Sequence, residues 1–320
     1  MTFFSKKLRQ LAIVFDDYTI RFVEVTTKND DIIAIHHVST VENNVVENGI
    51  LDKEKWKDLL LEQLESNNIK AKTVRIVIPS SIVIIRHQTM PDIPVKDLKQ
   101  IVQHELGYSI HLPFNNPIFD LVKVKSDLPI FNEVGEQAIQ VVLVAAPGSF
   151  IFPLVDVLYE NKMKPKVIDI PALSLYRLFS HLYPYQSDDA LLLVNVTKHG
   201  VDAHILDKGI LAFTRHIPME VSNSENYQPF ISDFAYEIER AINFYQYTLN
   251  NRDKKINSCW ITSEIDFPED FYRLLKERLD ISVNPLVYKN SELSQQGDEY
   301  KGYEVGIGLF LRKAVVENGN

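Results

Sequence analysis

Two stretches hold the residues best placed to handle a charged ligand. Leu11 to Val25 reads LAIVFDDYTIRFVEV: an apolar run, a polar break at Asp16-Asp17, then a second apolar run. That pattern predicts a β-hairpin. Leu191 to Leu206, LLLVNVTKHGVDAHIL, repeats the plan with its break at Thr197 to Gly200. A turn that cradles phosphate needs small residues, because backbone N–H groups must approach the anion closely. The first turn offers Asp16, Asp17 and Tyr18 instead. One carboxylate–phosphate charge pair at about 4 Å costs about 4 kcal/mol at an effective dielectric of about 20. A micromolar site supplies only about 8 kcal/mol in all. A metal ion can offset one of the aspartates, hardly both. The turns read as an anion site that has been given up, with two ordinary surface hairpins as the plainer alternative.

The remaining chemistry-bearing residues form no catalytic or metal motif. His104-Glu105 begins like a zinc-protease helix, but position 108 is Tyr, so the second His of the metal grip is missing. Glu105 is left to cap structure or contact a partner. His36-His37 and the other histidines are scattered, and Ser80-Ser81 lacks a nucleophile-elbow pattern. Gly306 and Gly308 have no third glycine at a strand-to-helix turn and are assigned to close helix packing. Asn195 lacks the charge to hold a metal in the usual way and is expected to satisfy local backbone. No catalytic residue and no metal ligand are expected.

The chain has 320 residues, which allows two domains and a sizeable core. Its net charge of −9 argues against a nucleic-acid-binding surface. The single cysteine, Cys259, excludes an internal disulfide and fits a reducing cytoplasm. No apolar run reaches membrane-spanning length. The start, MTFFSKKLRQ, lacks the apolar region of a secretory signal. Phe3, Phe4, Lys6, Lys7 and Arg9 are expected in a frayed terminus, with an anionic membrane surface as the alternative contact.

Positioning the two turns falls to an α/β framework. A third strand is read at Ile32 to Val41, and Asp52 caps a helix from Lys53 to Ser66 with Trp56, Leu59, Leu60 and Leu64 on one face. Val74 to Ile78 is a buried strand. A candidate insertion follows: a strand at Ile82 to Gln88, a helix from Pro94, strands at Phe119 to Lys125 and Gln137 to Ala146, and a helix from about Phe152 to Glu160. Val167 to Ile170 and the helix opened by Pro171 return to the first sheet, and Pro184 to Asp189 reads as a linker. After the repeated hairpin come a strand at Ile210 to Ile217, a helix from Pro229 to Leu249, a strand at Asn257 to Thr262, a helix from Pro268, a strand at Ile281 to Val287, and a closing helix from Tyr303 to Val316.

Several segments in this order resemble the type IV pilus assembly protein PilM family, relatives of the cell-division protein FtsA. RHQTMPDIPVKDLKQIVQHELGYSIHLPF matches through Arg86, Pro91, Leu98, Glu105, Pro113 and Phe114. VVLVAAPGSF and KMKPKVIDIPALSLYRLF match through Asp169, Ala172, Leu173 and Arg177. YEIERAINFYQY carries Glu237, Arg240, Phe244 and Tyr245, and YEVGIGLFLRK carries Gly308, Leu309, Leu311 and Arg312. The nucleotide turns depart from the family pattern. Val14, Phe15, Asp16 and Asp17 stand where the family has Asp-Ile-Gly-Ser. Asn195, Val196 and Thr197 stand for Asp-Ile-Gly, and Ile261 to Glu264, with Ser263, for the Gly-Gly adenosine turn. Only about a dozen residues separate Pro218 from Pro229, where the family has a fourth subdomain.

The resemblance implies an actin-like ATPase fold of the duplicated, ribonuclease H-like kind. An SHS2-type subdomain is inserted at residues 81–163, and the fourth subdomain is missing or much reduced. The first subdomain covers residues 1–80, completed by 164–185 and the C-terminal helix, and the second half covers 186–320. With Val14, Asp16, Asp17, Asn195, Thr197 and Ser263 at the degenerate positions, no cofactor is expected and ATP binding is not. The expected function is a non-catalytic cytoplasmic adaptor of a type IV pilus, secretion or DNA-uptake machine, at the inner face of the membrane through its partner. The partner is the N-terminal tail of a PilN-like membrane protein, together with other pilus-assembly proteins and no nucleic acid. Ile82, Ile84, Arg86 and Glu105 are the candidate contacts, in a groove between the Leu11–Pro79 region and the insertion. The alternatives are an active ATPase with a rebuilt site and an FtsA-like filament or division scaffold.

Overall fold

The computed structural model describes residues 7–29, 31–124, 130–132, 135–183, 190–221, 228–249, 255–288 and 300–311. The chain opens with strands β1 (Leu8–Phe15), β2 (Thr19–Lys28) and β3 (Asp31–Glu42), then the short β4 (Val46–Glu47) and β5 (Ile50–Leu51). Helix α1 (Lys53–Ser66) and β6 (Thr73–Val77) follow. After a 3-10 turn at Ser80–Ile82 come β7 (Ile84–Pro91), α2 (Val95–Glu105), β8 (Pro117–Val124), β9 (Ile130–Phe131), β10 (Gln137–Pro147) and α3 (Gly148–Glu160). Next are β11 (Lys164–Asp169), α4 (Pro171–Leu182), β12 (Ala190–Val196), β13 (Gly200–Asp207) and β14 (Ile210–Pro218). The last elements are α5 (Gln228–Phe244), a π turn at Tyr245–Leu249, β15 (Ile256–Ser263), α6 (Glu269–Leu279), β16 (Ser282–Pro285), α7 (Glu304–Gly308) and a 3-10 turn at Leu309–Leu311. None of the described helices is long and apolar enough to cross a membrane.

The chain divides into two units. The first comprises Met1–Asn44, Asp58–Ser81 and Leu158–Asn320. It holds two five-stranded sheets, ordered β11-β6-β1-β2-β3 and β14-β13-β12-β15-β16. The two repeat one plan. A three-strand antiparallel meander, β1 to β3 or β12 to β14, is extended by two parallel strands beside its first member. Parallel extension requires crossovers, and helices supply them. The second sheet buries Leu192, Val194 and Ala203 against Phe234, Ile238, Phe271 and Leu275 of α5 and α6. Residues 219–227 alone join β14 to α5.

α7 packs on α4 through glycine. A Cβ on Gly308 would lie 2.2 Å from the Ser174 carbonyl oxygen, so no larger residue fits that approach. The Ser174 hydroxyl donates to the Val305 carbonyl at 2.5 Å. Arg177 pairs with Asp169 at 2.5 Å, and Arg75 donates to the Leu309 carbonyl at 3.2 Å. Thus Asp169, Arg177 and Gly308, three positions that carry the resemblance, hold the closing segment to the first sheet.

The second unit comprises Val45–Lys57 and Ile82–Val157. Its sheet runs β7-β10-β8, with β9 paired to β10. Helix α2 packs on one face of it. Leu98 and Val102, both fully buried, meet Met90, Leu121, Val141 and Leu143. Asp52 caps α1 as expected, its Oδ1 accepting the Glu54 and Lys55 N–H groups at 3.1 Å.

Several element boundaries differ from the sequence reading. Arg9 is not in a frayed terminus: it lies on β1 and pairs with the buried Glu24 at 2.8 Å. Phe3, Phe4 and Lys6 lie outside the described residues, as does the expected linker at 184–189. Ile82 belongs to the 3-10 turn, and the strand starts at Ile84. α3 begins at Gly148 despite Pro153, because its first turn buries Phe150 completely. α5 gives way to a π turn at Tyr245, which keeps that ring buried and its hydroxyl 3.2 Å from Asp207. The closing helix stops at Gly308, since two glycines in five residues carry little helix propensity. Its expected continuation to Val316 falls largely outside the described residues.

Candidate functional site

The two predicted hairpin turns face one cleft inside the first unit. It is lined by Val14, Asp16, Asp17, Tyr18 and Arg21 of the first hairpin, Asn195, Thr197, Gly200 and Asp202 of the second, and His216, Glu264, Tyr303 and Gly306. The open volume among these groups is about 20 Å³, on the order of one water molecule.

The first turn is built by Asp16. Its Oδ1 accepts the N–H groups of Tyr18 and Thr19 at 2.9 and 2.6 Å, and its Oδ2 accepts the Thr19 hydroxyl at 2.6 Å. The same Oδ2 pairs with Arg21 Nη1. Arg21 Nη2 reaches across the cleft to Glu264 Oε2 at 2.7 Å. Glu264 Oε1 in turn accepts the Lys198 N–H of the second turn. The Arg21 side chain is only 7% exposed. Burial opposes its charge, but Asp16 and Glu264 outweigh that and raise its pKa further.

A second chain of charges runs beside the first. His216 Nδ1 lies 2.8 Å from Asp202 Oδ1, and Nε2 lies 3.2 Å from Asp17 Oδ2. The Ser81 hydroxyl donates to the other Asp17 oxygen. A neutral imidazole has one N–H, so only the imidazolium donates to both carboxylates. Burial opposes that charge, but the hydrogen bond and charge of Asp202, with the charges of Asp17 and Asp16, outweigh it and raise the pKa. His204, on the same strand as Asp202, is the opposite case: burial pushes it down to about 4, and its Nδ1 sits 2.6 Å from Thr214 Oγ1. The Tyr18 and His199 rings meet at 4.4 Å between the turn tips.

The structure therefore changes the meaning of the acidic turn. Asp16 and Asp17 do not stand as two uncompensated charges, because Arg21 and His216 answer them. The small residue of the second turn, Gly200, faces the His216 ring, and a Cβ there would lie 2.8 Å from Cε1. Close approach at this glycine serves an imidazole of the chain itself. Val14, Asp16, Asp17, Asn195 and Thr197 all line the cleft. Ser263 does not: its hydroxyl accepts the Ile265 N–H at 2.9 Å at the end of β15. Glu264, which stands in the region of the family's adenosine turn, reaches the first hairpin.

Sequence reasoning missed Arg21, Asp202 and His216. Two signals were available. Arg21 is a charge set in the apolar run Ile20 to Val25, on the face shared with the buried Val23. Asp202 and His216 are direct cross-strand partners in the β13–β14 pairing.

The partner candidates lie in the second unit. Ile82 and Ile84 are half-buried and Arg86 is exposed. Among the described residues β7 pairs on one side only, with β10. Glu105 ends α2, where its carboxylate accepts the Ser109 hydroxyl and its carbonyl accepts the Tyr108, Ser109 and Ile110 N–H groups. No group of His, Cys, Asp and Glu able to hold a metal occurs among the described residues.

The chain is similar in fold to the structure of a PilM-PilN type IV pilus biogenesis complex, with a TM-score of 0.73 at 17% identity over 96% of this chain and 99% of that one. The ethanolamine utilization protein EutJ from Carboxydothermus hydrogenoformans follows at a TM-score of 0.51 and 8% identity, over 95% and 89%. A Bacteroides thetaiotaomicron protein with an actin-like ATPase fold gives 0.47 at 14% identity, over 89% and 93%. No curated protein matches the chain. The fold is the actin-like α/β fold. A family model described as type IV pilus assembly protein PilM matches residues 13–220, from β1 through β14 and so across both hairpin turns. The chain belongs to the PilM family of type IV pilus assembly proteins.

Proposed function

We propose that this protein is a non-catalytic adaptor of a type IV pilus or related machine, and that it captures the N-terminal tail of a PilN-like membrane protein. The observation that carries the non-catalytic part is the cleft between the hairpin turns. The chain's own Arg21–Glu264 and His216–Asp17 pairs span it. Four carboxylates, Asp16, Asp17, Asp202 and Glu264, line a space of about 20 Å³. Those residues do not fit a triphosphate, whose charge would meet carboxylates already partnered. That supports a family member without nucleotide chemistry. The short β14–α5 connection supports a reduced fourth subdomain, and the second unit is proposed to be the SHS2-type module.

Family membership and the likeness to a PilM-PilN complex support the partner. A strand paired on one side can add an extended peptide by main-chain hydrogen bonds, and β7 has that property. Ile82, Ile84, Arg86 and Glu105 remain the proposed contacts. In this reading the protein is cytoplasmic and reaches the inner face of the membrane through its partner.

The test is a calorimetric titration of the full chain with the cytoplasmic N-terminal tail peptide of a PilN-like membrane protein. Saturable binding near micromolar affinity, about −8 kcal/mol, is expected, and an Ile84→Asp, Arg86→Glu variant should weaken it. No binding at millimolar peptide rejects the adaptor. A rise in Tm with millimolar Mg-ATP rejects the reading of the cleft as one without nucleotide.

A further inference from the structure

We propose that Arg21 and His216 form a built-in clasp, which closes the first hairpin onto the second half of the fold with internal cations, and that one arm of it opens as pH rises. The inference rests on the reading of the cleft as one without nucleotide.

The geometry assigns two arms. In the first, Arg21 joins Asp16, which builds the β1–β2 turn, to Glu264 at the end of β15. Glu264 also accepts the Lys198 N–H, so this arm ends on the backbone of the second turn. In the second, His216 on β14 joins Asp202 on β13 to Asp17 on the first turn. Both arms begin on adjacent aspartates of one turn and end in the other half of the duplicated fold. The Tyr18–His199 ring contact closes the gap between the tips. Four carboxylates brought together without cations would push the two hairpins apart. The two cations supply the positive charge that holds them.

The arms differ in what removes their charge. Arg21 stays charged at any working pH. His216 is held as an imidazolium by a carboxylate on each ring nitrogen. The groups facing it are Asp202 and the neutral His204 on β13, Asp16 and Asp17 on the first turn, Arg21 on β2, and Glu264 beyond Arg21. On its own strand Thr214 bonds His204, and Arg215 pairs with Glu237. Burial holds His204 neutral, so His216 is the imidazole here whose charge changes near neutrality. Its pKa is raised, so its stabilisation is full below the ordinary imidazole value of about 6.5 and is lost as pH rises through the raised value. Deprotonation leaves Asp17 without its cation, so Arg21 alone holds the shared turn and the amides of both turns open more often.

The test is amide hydrogen exchange on the full chain between pH 6 and 8.5, corrected for intrinsic rates, read at Tyr18, Thr19 and Lys198. Arg21→Met should speed exchange at these amides about tenfold or more, the size set by breaking a partly buried ion pair. Wild type should lose protection across the pH range, and His216→Gln should remove that pH dependence. Should Arg21→Met fail to fold, Glu264→Ala cuts the same arm at a partly exposed position and is expected to release the Lys198 amide. Unchanged protection in a folded arm variant overturns the clasp. A pH response that persists in His216→Gln overturns the pH-opened arm. Protection gained on adding Mg-ATP rejects the nucleotide-free reading while leaving the variants to decide the clasp.

Discussion

Gly308→Ala tests whether the closing segment is set by backbone contact. The new Cβ would fall 2.2 Å from the Ser174 carbonyl oxygen, 2.9 Å from its carbonyl carbon and 3.0 Å from its Oγ. Ordinary contact begins at 3.4 Å, so α7 and α4 must separate by 1.2 Å at this point. The neighbours that would be pulled apart, Ile307, Leu309 and Phe310, are fully buried. Overpacking of this kind costs about 1–3 kcal/mol, and a clash with backbone belongs at the upper end. Alanine returns about 1 kcal/mol of helix propensity. The net loss is about 2 kcal/mol or more. Urea unfolding followed by Trp260 fluorescence reads it, because that ring packs 5.1 Å from Phe179 of α4. Adding Ser174→Gly should not rescue the variant, since the obstacle is the carbonyl rather than the hydroxyl. A Gly308→Ala protein within about 0.5 kcal/mol of wild type, the range of neutral surface changes, would refute the reasoning.

Glu24→Gln should cost about 1.5–3 kcal/mol, because the buried carboxylate accepts Arg9 and the N–H groups of Lys70 and Ala71. Burial raises the Glu24 pKa, but those bonds and the Arg9 charge outweigh it, so wild-type stability falls as pH drops through the lowered value. The variant should lack that acid limb in denaturation midpoints against pH. Glu304→Gln should do the reverse. Burial pushes its carboxyl up to about 7 and one oxygen has no hydrogen-bond partner, so at pH 8 removing the charge should gain about 1–3 kcal/mol. No gain at pH 8 in urea unfolding would count against a buried charge there. Leu98→Ala should cost about 2–5 kcal/mol, since Leu98 is fully buried under the second unit's sheet. Tail-peptide affinity should fall with it, and a peptide that binds the unfolded variant equally well would place the contact elsewhere.

Much of the framework was legible in order along the chain. The spacing of Trp56, Leu60 and Leu64 gave α1 its bounds, and Asp52 marked its start, because both are local physics. The repeated hairpins announced the duplication, which the two identical sheet orders carry out. Boundaries failed where tertiary contacts overrode local preference. Phe150 extends α3 past Pro153, and Tyr245 breaks α5 to stay in the core. The candidate site was half legible: both turns and five of the six singled-out positions line the cleft, while the cations that answer them went unread.

What the sequence determined by itself was composition and period: an α/β chain with two hairpins, acidic and bulky at the first turn. Only the tertiary structure decided the balance of charge at that turn. Arg21 and Glu264 are far apart along the chain, and so are Asp17 and His216, so no local pattern can pair them. Folding brings the two hairpin turns onto one cleft and these residues within hydrogen-bond reach, and it turns apparent repulsion into a set of paired ions.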